Sequence, residues 1–249
     1  MPMNVNKALI LAAGRGRRLM PFTKDRPKCL VEVGGKPILY YQLIALQAHG
    51  ISNVTMVIGY LGGKIKKYAI THFPRISFNF IKNDLYSVTN DIYSFNLAEK
   101  YCRNDFVQID SDVLFDPDII RGLILNSKDS SIAAIRKANC GEEEMKVIVD
   151  ENGKVRRIGK ALEPKKCRGE FMSISLFTKD FSKFLFPAMQ NMIIELGPQM
   201  YSGDAMDKVI QDGAALQAFE IPAEHAIEID FPEDIVAAER NVLKYVKIQ

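Results

Sequence analysis

The sequence predicts an α/β chain: a Rossmann-like, three-layer arrangement of a mostly parallel sheet flanked by helices, with a smaller mixed β part in its second half. Three observations lead there. Short apolar runs such as Ala8–Ala12 read as strands buried on both faces. Helical segments alternate with them, and strand–helix–strand–helix–strand implies parallel pairing through right-handed crossovers. From Ser131 the spacing changes to closely set strands, with Asp150–Gly153 as a hairpin turn.

Taken in order, residues 8–12 form the first strand. Residues 37–50 give a helix with a broad apolar face (Ile38, Tyr41, Leu43, Ile44, Leu46, Ala48), stopped by Gly50. Residues 53–59 form a second buried strand, Tyr60–Gly63 a turn, 64–72 a helix and 76–81 a third strand. After a polar loop from Asn83, a helix starts near Asp91, and residues 106–110 form a strand ending in Asp110-Ser111-Asp112. Strands are expected at 132–135, 145–149, 155–158, 171–177, 216–221 and 226–229. Helices are expected at 178–195, 204–212 and 232–245, the last with Pro232 in its first turn. The second half is expected to be layered on the first.

The chain has 249 residues, 47% hydrophobic and 25% charged, which suits one large α/β domain with a substantial core. A net charge of +3 does not argue for nucleic acid. No apolar run approaches the roughly 20 residues of a membrane span, and polar Asn4 and Asn6 argue against a signal segment. Cys29, Cys102, Cys140 and Cys167 are widely spaced and pair into neither a metal site nor a disulfide framework, so a cytoplasmic location is expected. His49, His72 and His225 are scattered, leaving little support for zinc or a histidine-based triad.

The chemistry concentrates between Lys7 and Leu39. Gly14 and Gly16 follow the first strand, and glycine lets a ligand approach the main chain closely. Arg15, Arg17, Arg18, Lys24, Arg26 and Lys28 come next, opposed only by Asp25. Backbone N–H groups of such a turn can point at an anion, and the cations offset its charge, as a polyphosphate requires. A dinucleotide fingerprint is not met, because Leu19 stands where its last glycine belongs, and P-loop spacing is absent.

The ordered string Leu11-Ala12-Ala13-Gly14-Xaa-Gly16-Xaa-Arg18-Leu19, Pro21, Thr23, Arg26-Pro27-Lys28 and Gly35-Lys36-Pro37-Ile38 resembles the signature of the nucleoside-triphosphate transferases. These include sugar-1-phosphate nucleotidyltransferases and the small bacterial phosphocholine cytidylyltransferases. The loop Asn83-Asp84-Leu-Tyr86 … Thr89-Asn90-Asp91-Ile-Tyr93-Ser94 is most similar to the phosphocholine group. The resemblance implies one nucleotidyltransferase domain, with residues 1–130 binding nucleotide and 131–249 binding the acceptor. It implies phosphate contacts for Arg18 and Lys28, and for Lys160 in Gly159-Lys160. Nucleotide contacts would come from Leu11, Ala12, Ala13, Gly14, Arg15, Gly16, Asn83, Thr89, Asn90 and Ser111. Asp112 and Asp230, from distant strands, match the family aspartates that hold Mg²⁺. Asp110, Tyr86, Tyr93 and Glu170 would face the acceptor. Asp204 and Asp207 share a helix face, and Asp204 reads best as an ordinary helix N-terminal acid.

The activity implied is Mg²⁺-dependent transfer of CMP from CTP to a small phosphorylated or phosphonate acceptor, phosphocholine- or aminoethylphosphonate-like, with pyrophosphate released. A sugar- or inositol-phosphate acceptor is the rival, and a nucleotide-sensing subunit or a dehydrogenase are readings of other classes. The implied partners are these small molecules, with no nucleic acid and no membrane span, and a homodimer is compatible with the sequence.

Overall fold

β1 (Lys7–Ala12) lies inside a nine-stranded sheet, buried on both faces as its unbroken apolar run requires. The structure is a computed structural model that describes residues 5–127, 130–138 and 140–246. A two-residue hairpin, β2 (Glu32–Val33) with β3 (Lys36–Pro37), leads into α1 (Ile38–Ala48). Then follow β4 (Asn53–Ile58), α2 (Gly62–His72), β5 (Ser77–Lys82), α3 (Asp91–Leu97) and β6 (Phe106–Asp110). β1 pairs in parallel with β4 and β6, and β4 with β5, as crossover helices between strands dictate.

The chain continues through β7 (Val113–Phe115), α4 (Asp118–Asn126), β8 (Ser131–Arg136), β9 (Lys146–Val149), β10 (Val155–Gly159) and β11 (Gly169–Phe177). It closes with α5 (Lys179–Leu196), α6 (Ser202–Gln211), β12 (Leu216–Ile221), β13 (Ala226–Glu228) and α7 (Pro232–Ala237), whose helical path runs on in altered turns to Tyr245. β11 joins the two halves: it pairs antiparallel with β8 along one side, and with β9 and then β6 along the other. The second-half strands therefore extend the sheet in its own plane rather than lying on the first half. A run of nine residues lets β11 span both. The small strand pairs β7–β13 and β2–β3, and the helix α4, were not anticipated.

The three layers follow from side-chain alternation along β1. Ala8, Ile10 and Ala12 share a core with Leu39, Leu43 and Leu46 of α1, Ile65 of α2 and Ile120 of α4. Leu9 and Leu11 face Ile92 and Phe95 of α3, Leu185 of α5 and Met206 of α6. A third cluster sets Leu19, Val31 and Val33 against Leu114, Ile229 and Val242. That cluster ties the glycine-rich segment to the chain around β13, and so brings residues 18, 28, 112 and 230 together. Leu19 thus has a packing role, fully buried next to Ile229.

Candidate functional site

The turn after β1 is shaped by two close approaches. Gly16 is left-handed (φ 62°), and a Cβ there would meet Lys28 Cβ at 3.1 Å, so the lysine stem runs directly under the turn. Thr23 Oγ1 donates to the Gly16 carbonyl at 2.7 Å and fixes the loop from below. Gly59 is constrained as well: its Cβ would lie 2.6 Å from the Ala13 carbonyl. That carbonyl accepts from Tyr60 N at 3.0 Å, which locks the mouth of β1 to the end of β4.

The Lys28 head emerges between two carboxylates. Its Nζ donates to Asp112 Oδ2 and to Asp230 Oδ1, both at 2.6 Å, and Arg18 Nη2 donates to Asp230 Oδ2 at 2.7 Å. Burial acts to lower the Lys28 pKa, but Asp112 and Asp230 outweigh it and hold the amine above its ordinary value. Burial likewise acts to raise Asp230, and Lys28 and Arg18 bring it below the usual carboxylate range. Asp112 is positioned by the β6–β7 turn. Buried Gln42 of α1 donates to the carbonyls of Asp110 (2.9 Å) and Val113 (2.8 Å), and Ser111 N donates to the Leu11 carbonyl.

Two cavities meet at this point. One of about 190 Å³ is lined by Leu11, Ala13, Gly14, Asn83, Tyr86, Thr89, Asn90 and Ser111. Asn83 Nδ2 is bonded to Thr89 Oγ1 (3.1 Å) and Ser94 Oγ (3.0 Å), so the loop's polar edge is preset. The other, about 710 Å³, is lined by Gly16, Arg18, Arg136, Lys160, Glu170, Ser173, Tyr201, Glu228, Asp230 and Phe231. Gly14, Lys28, Asn90, Asp91, Asp110 and Asp112 border both.

The larger cleft is acid-rich. Burial, then Asp112, Asp91 and Glu228, push Asp110 well above the ordinary carboxylate range, against the Ser173 hydroxyl that bonds to it. Burial, then Asp112, Glu170 and Asp230, push Glu228 up to about 8. Glu170 is raised by burial despite its ion pair with Arg136, whose Nε lies 2.9 Å from Oε2. Asp91 is raised by burial although Ser202 N (3.1 Å) and the Ser202 hydroxyl donate to its Oδ2; its Oδ1 is buried with no hydrogen-bond partner.

Most of the expected residues thus converge, with exceptions. Ala12 points into the opposite core, because strand alternation turns it away from Leu11 and Ala13. Arg15 leaves both cavities and lies over the Tyr60 ring at 5.4 Å. Tyr86 lines the smaller cavity, not the acid-rich cleft, since the Asn83 loop folds it against Gly59. Tyr93, on α3, borders neither cavity. Lys160 reaches the cleft, over the Tyr201 ring at 4.7 Å and 3.9 Å from Glu143. Asp204 caps α6 by accepting from Tyr201 N at 2.9 Å, and Asp207 accepts from Ile158 N at 2.7 Å and binds Arg157, so neither is free for a ligand.

Arg136, Ser173, Tyr201, Glu228 and Phe231 line the cleft without having been singled out. Glu228 was findable: it stands two residues before Asp230, which sits just past β13, and alternate strand residues share a face. Ser173 was not, because its left-handed backbone (φ 51°) comes from a register shift in β11. Among the described residues no cluster of three or more His, Cys, Asp or Glu could hold a metal by itself, and no helix is long and apolar enough to cross a membrane. Mg²⁺ is commonly held by one or two carboxylates together with substrate phosphates and water. The Asp112–Asp230 pair beside a phosphate-sized turn fits that donor set.

A glycine turn, cations and paired aspartates thus meet beyond the carboxyl ends of the parallel strands β1 and β6. Residues 7–103 match the nucleotidyl transferase family model, a stretch that includes the glycine-rich string. The chain is similar to the CTP:phosphoglutamine cytidylyltransferase of Campylobacter jejuni, 37% identical over 143 residues, covering 53% of this chain and 53% of that protein. It is 32% identical over 145 residues to the choline-phosphate cytidylyltransferase of Streptococcus pneumoniae, covering 58% and 60%. The matched stretch thus spans little more than half the length of these curated relatives. Among solved structures, the inositol-1-phosphate CTP transferase from T. maritima has a TM-score of 0.83 at 21% identity, over 99% of this chain and 98% of that one, which bears out the expected fold.

Proposed function

We propose that the chain is a Mg²⁺-dependent nucleotidyltransferase that moves CMP from CTP to a small phosphorylated or phosphonate acceptor and releases pyrophosphate. The observation that carries this reading is the single Lys28 nitrogen bonded to both Asp112 and Asp230 where the two cavities meet. The smaller cavity offers Thr89 and Asn90 to a base edge, whose donors and acceptors such side chains can match, while buried Asn83 holds their loop. The Gly14–Gly16 turn, Arg18 and Lys28 receive the triphosphate. The larger cleft takes the acceptor, with Lys160 and Arg136 available to its phosphate.

An acceptor phosphate oxygen attacks the α-phosphorus while the bond to the pyrophosphate oxygen breaks in line. A phosphate dianion is already nucleophilic, so no covalent enzyme intermediate is needed, and catalysis is positioning plus charge neutralisation. Asp112 and Asp230 would hold Mg²⁺, which supplies charge neutralisation on the phosphates when bound. Arg18 and Lys28 offset negative charge at the same place.

The cleft has more acidic side chains than cations, and the Glu228 side chain makes no hydrogen bond or ion pair among the described residues, so an incoming ammonium group would meet an acid without a partner. That excess favours an acceptor bearing an ammonium group over a neutral sugar or inositol phosphate. A coupled pyrophosphate-release assay across four NTPs and a panel of aminoalkyl, choline, sugar and inositol phosphates tests both points. Turnover with CTP and an ammonium-bearing acceptor is expected; nucleotide binding with no turnover on any acceptor would show a sensing subunit instead.

A further inference from the structure

We propose that the Lys28 ammonium is a resident cation, filling the divalent-metal position between Asp112 and Asp230 until a nucleotide arrives, so that metal enters with the triphosphate and not before it. The identity of the arriving ligand rests on the nucleotidyltransferase reading; the blocked metal position rests on Lys28 alone.

The geometry around Lys28 supports this. Lys28 Nζ uses one oxygen of each aspartate at 2.6 Å, and Arg18 takes the second oxygen of Asp230 at 2.7 Å. Two acids are thereby matched by two cations, and the local charge closes without any ion. A divalent ion arriving alone would have to break two charge-assisted hydrogen bonds, the strong kind. It would also strand an ammonium group, which cannot stay charged in a largely buried position without acceptors.

The lysine has somewhere to go only when a nucleotide is present. Its stem is pinned beneath Gly16, where Cβ and Cγ of Lys28 lie 3.1 and 3.2 Å from the position a Gly16 Cβ would take. The head can therefore turn but the stem cannot leave, and the anion-binding turn at Gly14–Gly16 is directly above it. Triphosphate oxygens placed there replace the carboxylates as Lys28 acceptors, and the freed carboxylates become ligands. The aspartates themselves are held in place: Gln42 fixes the turn of Asp112, and Asp230 N donates to Asp234 at 2.9 Å. No third carboxylate, cysteine or histidine among the described residues joins them to make a metal cage, so phosphate oxygens must complete the set.

The test is Mn²⁺ titrated into the full chain, read from the loss of the aquo-ion EPR signal, with and without the non-transferable analogue α,β-methylene-CTP. Without nucleotide, Lys28→Met should bind Mn²⁺ at least about tenfold more tightly than wild type, as expected for the loss of two charge-assisted bonds, and Lys28→Arg should stay as weak as wild type. Wild type should gain tight binding when the analogue is added. Wild type binding Mn²⁺ without nucleotide as tightly as Lys28→Met would overturn the proposal. If Lys28→Met does not fold by circular dichroism, ¹⁵N-lysine-labelled wild type decides. The Lys28 Nζ resonance should be unmoved by Mg²⁺ alone and shift with Mg²⁺ plus analogue, and a shift with Mg²⁺ alone refutes the idea. Failure of wild type to bind any nucleoside triphosphate analogue would instead remove the functional reading, and the nucleotide-free comparison would still decide the Lys28 claim.

Discussion

A buried lysine and a half-buried one serve the cleft in opposite ways. Lys146, on β9, is 1% exposed and, among the described residues, donates only to backbone carbonyls, of Gly141 (2.8 Å), Glu142 (3.2 Å) and Glu144 (3.3 Å). Lys28, with its side chain 13% exposed, donates to two carboxylates at 2.6 Å. The first set of acceptors is neutral and local, and nothing that enters the cleft competes for it. It acts as a clasp, folding residues 141–144 back so that Glu143 and Glu144 border the cleft. The second set is anionic and comes from segments 202 and 84 positions away in sequence, with open cavities on both sides. An amine is structural when its acceptors are its own loop, and on the present proposal exchangeable when they are the ligands of an arriving metal.

Three changes sharpen or break that contrast. The largest effect is expected from Asp112→Ala with Asp230→Ala together, which removes both proposed metal ligands. Turnover should fall by about 10³-fold or more, in keeping with the loss of preorganised charge at a reacting phosphate. Full pyrophosphate release by the double variant would end the account of the pair.

A middling effect is expected from Lys146→Met. Three carbonyls lose their donor, so urea unfolding should show a loss of about 1–3 kcal/mol. The KM for the acceptor should rise as the 141–144 loop loosens, while the KM for CTP stays put. An equal rise in both would mean that Lys146 is not confined to the acceptor side.

The smallest effect concerns pH. Glu170 is held above its ordinary value of 4.5, chiefly by burial, with Arg136 acting against the shift. The folded chain then binds this proton more tightly than the unfolded chain. Its contribution to stability is full below pH 4.5 and is lost as pH rises through the folded value. Glu170→Gln should therefore have a melting temperature that declines less over that rise than wild type, whatever its absolute level. Parallel melting curves across that window would contradict the shift.

Legibility in the sequence followed the same division. The cradle was readable because its parts are local: β1, Gly14, Gly16, Arg18 and Lys28 lie within one short stretch, and each residue type has a backbone or charge reason to be there. Asp112 and Asp230 were readable as carboxylates just past strands, although only the packing of Leu19 and Val31 against Ile229 brings them into contact with Lys28. The larger, acid-rich cleft was harder to read. Its walls come from β8, β11, α6 and β13, which meet only because β11 joins the two halves of the sheet in one plane. Arg136 and Lys146 were not singled out, since nothing in a single sequence announces an ion pair 34 positions apart or a backbone clasp. Tyr86 and Tyr93 were expected to face the acceptor, whereas one folds against Gly59 into the smaller cavity and the other borders neither cavity.

The most direct measurement is a crystal structure of the full chain with Mn²⁺ and α,β-methylene-CTP. The account predicts one anomalous peak bound by Asp112 and Asp230, the triphosphate across Gly14–Gly16, the cytosine beside Asn83, and Lys28 turned onto phosphate oxygen. A peak remote from those two aspartates, or a triphosphate lying away from the glycine turn, would contradict it.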